Sequence, residues 1–175
     1  MTSGIIFLVG IGNLPNKLMA KISKALSEKL NLNLKEISAT QFPDETISSL
    51  IPLEVLVQFD GDIGMMHPSG CSWLEALGNW KVPVALMIEP SLSGEIPGLA
   101  ASYVSLCKQL SVPLLGLIQV GEPWIYKNRK LDGLPWCGFL PSNGLTNEFE
   151  KIDYYLIEEL VIKLKQQLTY IDKYF

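Results

Sequence analysis

Residues 10–18 (GIGNLPNKL) carry the groups in this sequence that are best suited to bind a phosphate. A phosphate loop needs backbone N–H groups that converge on the anion, a lysine that supplies charge, and a Ser or Thr hydroxyl for Mg²⁺. Gly10 and Lys17 stand at the two ends of the segment in the required order. The candidate binding residues are Gly10, Gly12, Asn13, Asn16 and Lys17. Lys17 is also the one candidate catalytic residue. A helix dipole disfavours a cation in its first turn, and a bound anion would relieve this, but a solvated surface lysine is an alternative for the same position.

The same loop departs from the glycine pattern of dinucleotide-binding proteins. That pattern, G-x-G-x-x-G, needs a third glycine where this chain has Pro15, and Ala20 lies too far along to replace it. Glu36 would be the acid that binds the ribose, but it lies inside the second predicted strand. A dinucleotide- or flavin-binding α/β protein is therefore kept as a further alternative.

Three cysteines and one histidine offer little metal chemistry. Cys71, Cys107 and Cys137 are widely spaced without a C-x-x-C pair, and His67 is the single histidine. Such a set does not supply the ligands of a zinc site. We expect no cysteine near His67 to complete a catalytic dyad, so we predict a hydrogen-bonding or surface role for this side chain. The basic run Lys127–Lys130 is predicted to be a solvated loop.

The elements that position these residues alternate between short apolar runs and helical repeats. The predicted strands are Gly4–Val9, Leu32–Ile37, Glu54–Phe59, Val82–Ile88, Leu114–Val120 and Trp136–Leu140. The predicted helices are one after Asn13, then Asp44–Leu50, Ser72–Trp80, one that opens at Pro97, and Asn147–Ile171. Uninterrupted apolar strands between helices indicate a mostly parallel sheet with helices on both faces. We therefore predict a three-layer α/β fold, with residues 1–175 as a single domain.

Ligands of such sheets bind at the carboxyl ends of the strands. The loops that fall there are residues 10–18, 58–69 and 89–95. In the first of these, Asn13 is predicted to cap the following helix and Pro15 to lie in its first turn. Leu18 is predicted to lie in the buried stripe of that helix.

Composition excludes several classes of protein. The 175 residues include 14 Lys and Arg against 18 Asp and Glu, which gives a net charge of −4 without a basic cluster, so no nucleic-acid partner is expected. The chain is 48% apolar, which excludes a disordered protein. No apolar run approaches the ~18 residues of a membrane span, and no signal-peptide pattern is present at the N-terminus. We expect a cytoplasmic protein with reduced thiols and no membrane partner.

The loop resembles that of dethiobiotin synthetase, a P-loop NTPase family whose phosphate loop reads G-x-x-x-x-x-G-K-T. Further segments resemble blocks of that family in the same order: residues 53–61 (LEVLVQFDG), 80–88 (WKVPVALMI), 99–116 and 134–141 (LPWCGFLP). The resemblance implies a dethiobiotin synthetase-like fold and a homodimer. It also implies a nucleotide-binding enzyme of biotin biosynthesis, which closes the ureido ring of dethiobiotin from a diamino acid, CO₂, Mg²⁺ and ATP.

The departures from the family fall on its chemistry. Asn16 replaces the second glycine of the loop, Pro15 removes one N–H donor, and Leu18 replaces the Thr that would bind Mg²⁺. Gln58 replaces an acidic metal ligand, and Val120 lies where the family reads adenine with Asn. Because phosphoryl transfer depends on metal charge and positioning, this degenerate Walker A loop favours a catalytically silent binding or regulatory domain. That domain would need no cofactor and would take a small anionic or nucleotide ligand.

The alternative keeps the family's reaction. In it the chain is an ATP- and Mg²⁺-dependent carbon–nitrogen ligase whose metal acids have moved to Asp60 or Asp62, although acids at a strand end are commonly solvated. A homodimer is expected in either case, because the helix after Pro97 has more apolar positions than one core-facing stripe requires.

Overall fold

The computed structural model describes residues 4–12, 14–141 and 154–174. Its strands are β1 (Ile5–Ile11), β2 (Asn33–Ser38), β3 (Val55–Asp60), β4 (Val84–Ile88), β5 (Leu114–Val120) and β6 (Trp136–Leu140). Its helices are α1 (Asn16–Leu30), α2 (Pro43–Leu50), α3 (Trp73–Trp80), α4 (Gly98–Gln109), α5 (Tyr126–Leu131) and α6 (Tyr154–Tyr174). Within these ranges, no helix is both long and apolar enough to cross a bilayer.

The strands form one parallel sheet in the order β2-β3-β1-β4-β5-β6. Helices α1 and α6 pack in the core cluster on one face, and α2, α3 and α4 pack in the cluster on the other. The predicted three-layer α/β architecture is therefore confirmed. Side chains of β1 alternate between the two clusters, with Phe7 in one and Leu8 in the other, as the pleat of a strand requires.

The strand order places a crevice at the carboxyl end of β1. From β1 the chain passes through α1 on one face of the sheet to β2, which lies on one side of β1. From β4 it passes through α4 on the opposite face to β5, which lies on the other side. Ligands of open α/β sheets bind at such a reversal. The order differs from both 3-2-1-4-5-6 and 2-1-3-4-5, the two common orders of dinucleotide- and flavin-binding sheets, and so gives that interpretation no support.

Helix α3 starts with a capping motif at Ser72, the first residue of its predicted range. The Glu75 backbone N–H donates to Ser72 Oγ (3.1 Å), and the Ser72 backbone N–H donates to Glu75 Oε2 (2.6 Å). This reciprocal capping box satisfies two donors at the start of the helix. The hydrogen bonds from Ser72 lower the pKa of the Glu75 carboxyl.

Other helix starts differ from the expectation. Helix α1 begins at Asn16 with Pro15 at the N-cap, one position before the first turn where Pro15 was predicted. The predicted cap, Asn13, lies outside the described residues. The C-terminal helix is described from Tyr154 onward, so residues 147–153 of its predicted range also lie outside them.

The prediction of a solvated loop at Lys127–Lys130 is wrong, because these residues belong to helix α5 and Arg129 is 7% exposed. Arg129 Nε donates to Gln119 Oε1 (2.8 Å), and its Nη2 donates to the Gly94 carbonyl (2.6 Å). A run of basic residues is ordinarily solvated, but here two buried acceptors receive the guanidinium. Arg129 thereby ties α5 to β5 and to the loop that follows β4.

Two aromatic rings complete the surroundings of this cation. The Arg129 guanidinium carbon lies 5.8 Å from the ring centroid of Trp124 and 5.2 Å from that of Trp136. Both distances are within the reach of a cation–π attraction, which is stronger where water is excluded. The Asp132 carboxylate lies 3.7 Å from Arg129 Nη1 and supplies opposite charge at the edge of the cluster.

We predict that Arg129→Ala lowers the free energy of unfolding by about 3 kcal/mol, because it leaves Gln119 Oε1 and the Gly94 carbonyl buried without a donor. Urea denaturation followed by circular dichroism measures the change. Lys127→Ala is the matched control, since it removes an exposed cation from the same helix and is expected to change stability by less than about 0.5 kcal/mol. Equal effects of the two substitutions would contradict the structural role of Arg129.

Candidate functional site

Two glycines shape the loop after β1. Gly10, near the end of β1, lies under α1, where an added Cβ would be 3.1 Å from Met19 Sδ, so a side chain there would force the Met19 side chain to shift. Gly12 has a φ of +77°, a left-handed conformation that glycine adopts without strain, and no atom lies within 4 Å of its would-be Cβ. Gly10 thus serves packing, whereas Gly12 forms the open part of the loop.

The first turn of α1 presents backbone donors. Pro15 at the N-cap offers no side-chain cap, and its carbonyl accepts hydrogen bonds from the N–H groups of Leu18 (2.9 Å) and Met19 (3.0 Å). The N–H groups of Asn16 and Lys17 precede these and belong to the donors that a helix leaves unpaired at its start. The Lys17 side chain is exposed beside them. This combination attracts negative charge.

Leu18 is less buried than predicted. The stripe of α1 that faces the sheet contains Met19, Ile22, Leu26 and Leu30, and Leu18 packs against the edge of that cluster as a half-buried residue. The prediction of Leu18 as a core residue is therefore wrong by one position, because the helix turns Met19 inward. Either placement leaves the side chain without an oxygen for a metal ion.

Gln58 lies at the carboxyl end of β3, on the face covered by α1. Leu56, two residues earlier and thus on the same face, packs in one cluster with Ile22 and Leu26 of the helix. The Gln58 side chain is 6% exposed, and its Oε1 has no hydrogen-bond partner among the described residues. An unpaired acceptor in such a place costs about 1–3 kcal/mol.

Asp60 follows on the same face and reaches the start of α1. The Asn16 Nδ2 group donates a hydrogen bond to Asp60 Oδ1 at 3.4 Å. The structure thus joins two predicted residues from two elements, Asn16 and Asp60, while Gln58 lies two residues before Asp60 on the same face of β3. Their oxygens could face a cation or a hydrogen-bond donor, whereas the N–H groups of the helix start face an anion.

Asp62 has a different role. Its Oδ1 accepts hydrogen bonds from the Tyr103 hydroxyl of α4 and from the Gly64 N–H (2.9 Å). Burial and the Asp62 carboxylate raise the pKa of the Tyr103 hydroxyl well above its usual range, so Tyr103 remains a donor. Asp62 therefore joins the loop after β3 to α4. No group of three or more His, Cys, Asp or Glu side chains within the described ranges could hold a metal ion.

A cavity of about 200 Å³ lies at the carboxyl ends of β1 and β4. Its lining residues are Ile11, Gly12, Ile88, Glu89, Pro90, Ser91, Pro97 and Leu99. The loop on its far side is closed by hydrogen bonds from Ser91 N–H to the Glu95 carbonyl (2.9 Å) and from Gly94 N–H to the Ser91 carbonyl (2.8 Å). Arg129 donates a hydrogen bond to the Gly94 carbonyl of this loop.

The sequence did not predict the roles of Arg129 and Tyr103, because their hydrogen-bond partners lie far away along the chain.

The expectation of no cysteine near His67 is also wrong. Ser69 Oγ lies 2.8 Å from His67 Nδ1 and 3.7 Å from Cys71 Sγ, so one hydroxyl links the two side chains. The predicted hydrogen-bonding role of His67 is confirmed, since its Nε2 also lies 3.4 Å from the Thr40 carbonyl. The five-residue span from His67 to Cys71 gave the signal, because a hairpin would bring its ends together.

A scan against known protein-family models and a search of the curated proteins found no match to this chain.

We predict that Gln58→Met raises the free energy of unfolding by about 1 kcal/mol, because it removes a buried acceptor without a partner and keeps the side chain's length. Gln58→Glu is the matched contrast. It restores the acid of the resembling family, places a carboxylate in the same buried position, and is expected to destabilise the fold with or without Mg²⁺. Urea denaturation of both variants with and without Mg²⁺ measures these effects. Recovery of Gln58→Glu by Mg²⁺ would reveal a metal site and overturn this expectation.

Proposed function

We propose that this chain is a catalytically silent binding or regulatory domain with a dethiobiotin synthetase-like fold, and that it recognises a small anionic or nucleotide ligand at the start of α1. The observation that carries the proposal is that three residues near the start of that helix offer no free carboxylate to a metal ion. Leu18 offers none, Gln58 is neutral, and Asp62 is engaged by Tyr103. Phosphoryl transfer relies on bound metal charge, for which this arrangement provides little.

The anion preference rests on the helix start itself. Backbone N–H groups at Asn16 and Lys17, the positive end of the helix dipole and the exposed Lys17 ammonium act in the same direction. Gly12 leaves open space beside them, because nothing lies within 4 Å of its would-be Cβ. The cavity at the ends of β1 and β4 adjoins Gly12 and gives a ligand room beyond the anion.

A second candidate function is an ATP- and Mg²⁺-dependent carbon–nitrogen ligase. One observation favours it: Asp60 lies beside Asn16, so a carboxylate does stand near the start of α1. Mg²⁺ is commonly held by one or two carboxylates together with substrate phosphates. Asp60 and Gln58 Oε1 would then be the protein's oxygens for the metal, and Lys17 would bind the phosphates. Mg²⁺-dependent nucleotide binding separates this function from the silent one.

We predict that calorimetric titration with Mg²⁺-ATP shows no saturation at concentrations that fill an intact phosphate loop, because Pro15, Asn16 and Leu18 remove parts of the cradle and the metal ligand. Inorganic phosphate without Mg²⁺ is expected to bind weakly, and Lys17→Ala is expected to abolish that binding. In buffer without such anions, Lys17→Ala should stabilise the fold by about 0.3 kcal/mol, since Lys17 opposes the helix dipole.

Lys24→Ala is the matched control for this titration, because Lys24 is an exposed lysine two turns further along the same helix. It is expected to leave phosphate binding unchanged. Saturable Mg²⁺-ATP binding that is lost in Asp60→Asn would contradict the silent function and establish the ligase site. Phosphate binding that survives Lys17→Ala would contradict the assignment of the anion site.

We also propose that the chain forms a homodimer through α4. Only Ala100 and Cys107 of this helix are buried, while Leu99 is 44% exposed and Ala101 is also exposed. We predict a dimer by light scattering at micromolar concentration, and a monomer for Leu99→Glu, which places charge on the apolar face. Leu131→Glu is the control, because Leu131 is an exposed leucine on α5. A monomeric wild-type chain would refute the dimer.

A further inference from the structure

The loop between β3 and α3 holds three side chains with nucleophilic or basic groups in one hydrogen-bonded row. A bridge between Met66 and Ser72 closes the loop into a small hairpin. Within it the His67 N–H donates to the Cys71 carbonyl (3.0 Å), and the Gly70 N–H donates to the His67 carbonyl (2.9 Å). This backbone pairing is independent of the α1 site and of the function proposed for it.

The surroundings of His67 determine which of its ring nitrogens carries the proton. The Ser69 backbone N–H donates to His67 Nδ1 at 3.1 Å, so Nδ1 presents a lone pair. His67 Nε2 faces the Thr40 carbonyl at 3.4 Å, which only accepts, so Nε2 carries the hydrogen. The two contacts agree on one tautomer, in which Nδ1 is available as a base.

The direction of the remaining hydrogen bonds follows from that tautomer. Ser69 Oγ lies 2.8 Å from His67 Nδ1, so in this tautomer the hydroxyl is the donor and shares the Nδ1 lone pair with the Ser69 backbone N–H. The Ser69 oxygen can then accept the S–H of Cys71, whose Sγ lies 3.7 Å away. The row therefore runs from the thiol through the hydroxyl to the imidazole, with the Thr40 carbonyl orienting the ring.

From this geometry we propose that Cys71 is a nucleophilic thiol whose proton passes through Ser69 to His67, and that the site reacts with low-molecular-weight disulfides. The thiol, the imidazole base and the group that orients the base follow one another in the spatial order found in activated nucleophiles. His67 is 7% exposed and is held in place by the ring edge of Phe42, with 5.2 Å between ring centroids. Ser69 is exposed and Cys71 is half-buried, so this row lies at the surface, where a small disulfide can approach it.

In the proposed step, Cys71 Sγ attacks one sulfur of the disulfide as its proton moves to Ser69 Oγ and the Ser69 hydrogen moves to His67 Nδ1. The new S–S bond joins Cys71 to that sulfur, and the original S–S bond breaks. The second sulfur leaves as a thiolate and takes up one proton as His67 returns to its neutral form. Cys71 is oxidised to a mixed disulfide, and one half of the reagent is reduced to a thiol.

The other two cysteines are poor competitors for the reagent. Burial raises the pKa of the Cys107 thiol to about 12 and that of the Cys137 thiol to about 11. Both thiols are buried in the core clusters. Since the thiolate is the attacking species, neither is expected to react while the chain is folded.

The test follows the reaction of the native protein with 5,5′-dithiobis(2-nitrobenzoic acid) through release of the coloured thiol. We expect one thiol per chain to react rapidly, and Cys71→Ser to remove that phase. Ser69→Ala should slow the phase by roughly tenfold or more, because it interrupts the path of the proton. Ser69→Thr keeps a hydroxyl and should restore the rate, and Ser48→Ala, an exposed serine on α2, should have no effect.

The Ser69 variant separates activation from simple exposure, since removal of its hydroxyl opens access to the sulfur. An unchanged or faster reaction of Ser69→Ala would overturn the proposal. His67→Gln should slow the phase as well, and the double variant should be no slower than the slower single one, because both act through one path. If His67→Gln fails to fold by circular dichroism, Ser69→Ala and its Thr rescue decide the question. Incubation with oxidised glutathione should add one glutathionyl group at Cys71, as located by mass spectrometry, and addition elsewhere would also refute the assignment.

Discussion

The pairing of β1 with β3 on one side and β4 on the other is the constraint on which the rest of the structure depends. A strand in the middle of a parallel sheet has all of its backbone groups paired and both of its faces covered, so the chain is left open for chemistry only where the strand ends. Three parts of the proposed site lie at that edge: the start of α1 after β1, Gln58 and Asp60 towards the end of β3, and the cavity between β1 and β4. The sheet thus places these residues at one edge although they are far apart in the sequence.

Two hydrogen bonds from helices α4 and α5 fix loops at the same carboxyl edge of the sheet. Tyr103 of α4 donates to Asp62 in the loop after β3, and Arg129 of α5 donates to the Gly94 carbonyl in the loop after β4. In each case a polar group from a later helix fixes a loop that follows an earlier strand. Burial of these donors makes their loss costly, so the loops gain rigidity from groups that need not touch a ligand.

The inner strands could be predicted because a strand buried on both faces is a continuous apolar run, and β5 has the predicted bounds. The edge strand β6 also has the predicted bounds, although only Cys137 and Leu140 of it are buried. The helical spacing of apolar residues predicted α1 but not which side of it faces the sheet. Leu18 and Met19 are both apolar, and only packing against the sheet determines that Met19 is the buried one. Arg129 could not be predicted, because local composition cannot show that a distant carbonyl will accept its guanidinium. The row from Cys71 to His67 lies within five residues and had a local signal in the hairpin, but the tautomer of His67 depends on the distant Thr40 carbonyl and could not be predicted.

The charges around the start of α1 affect how strongly the carboxyl edge of the sheet attracts an anion. A carboxylate near a helix start is itself a partner for the positive end of the dipole, and Asp60 is held there by Asn16. The protein thus supplies part of the negative charge that a bound phosphate would bring in a catalytic loop. Under the proposed function, an incoming anion would meet the repulsion of Asp60 on the β3 side and the attraction of Lys17 on the exposed side, and these charges would displace it from the sheet towards solvent. A site displaced in this way can still recognise an anion. Under the proposed function, such a site would lie away from the oxygens of Gln58 and Asp60, so anion recognition and metal binding would not share one position at this edge.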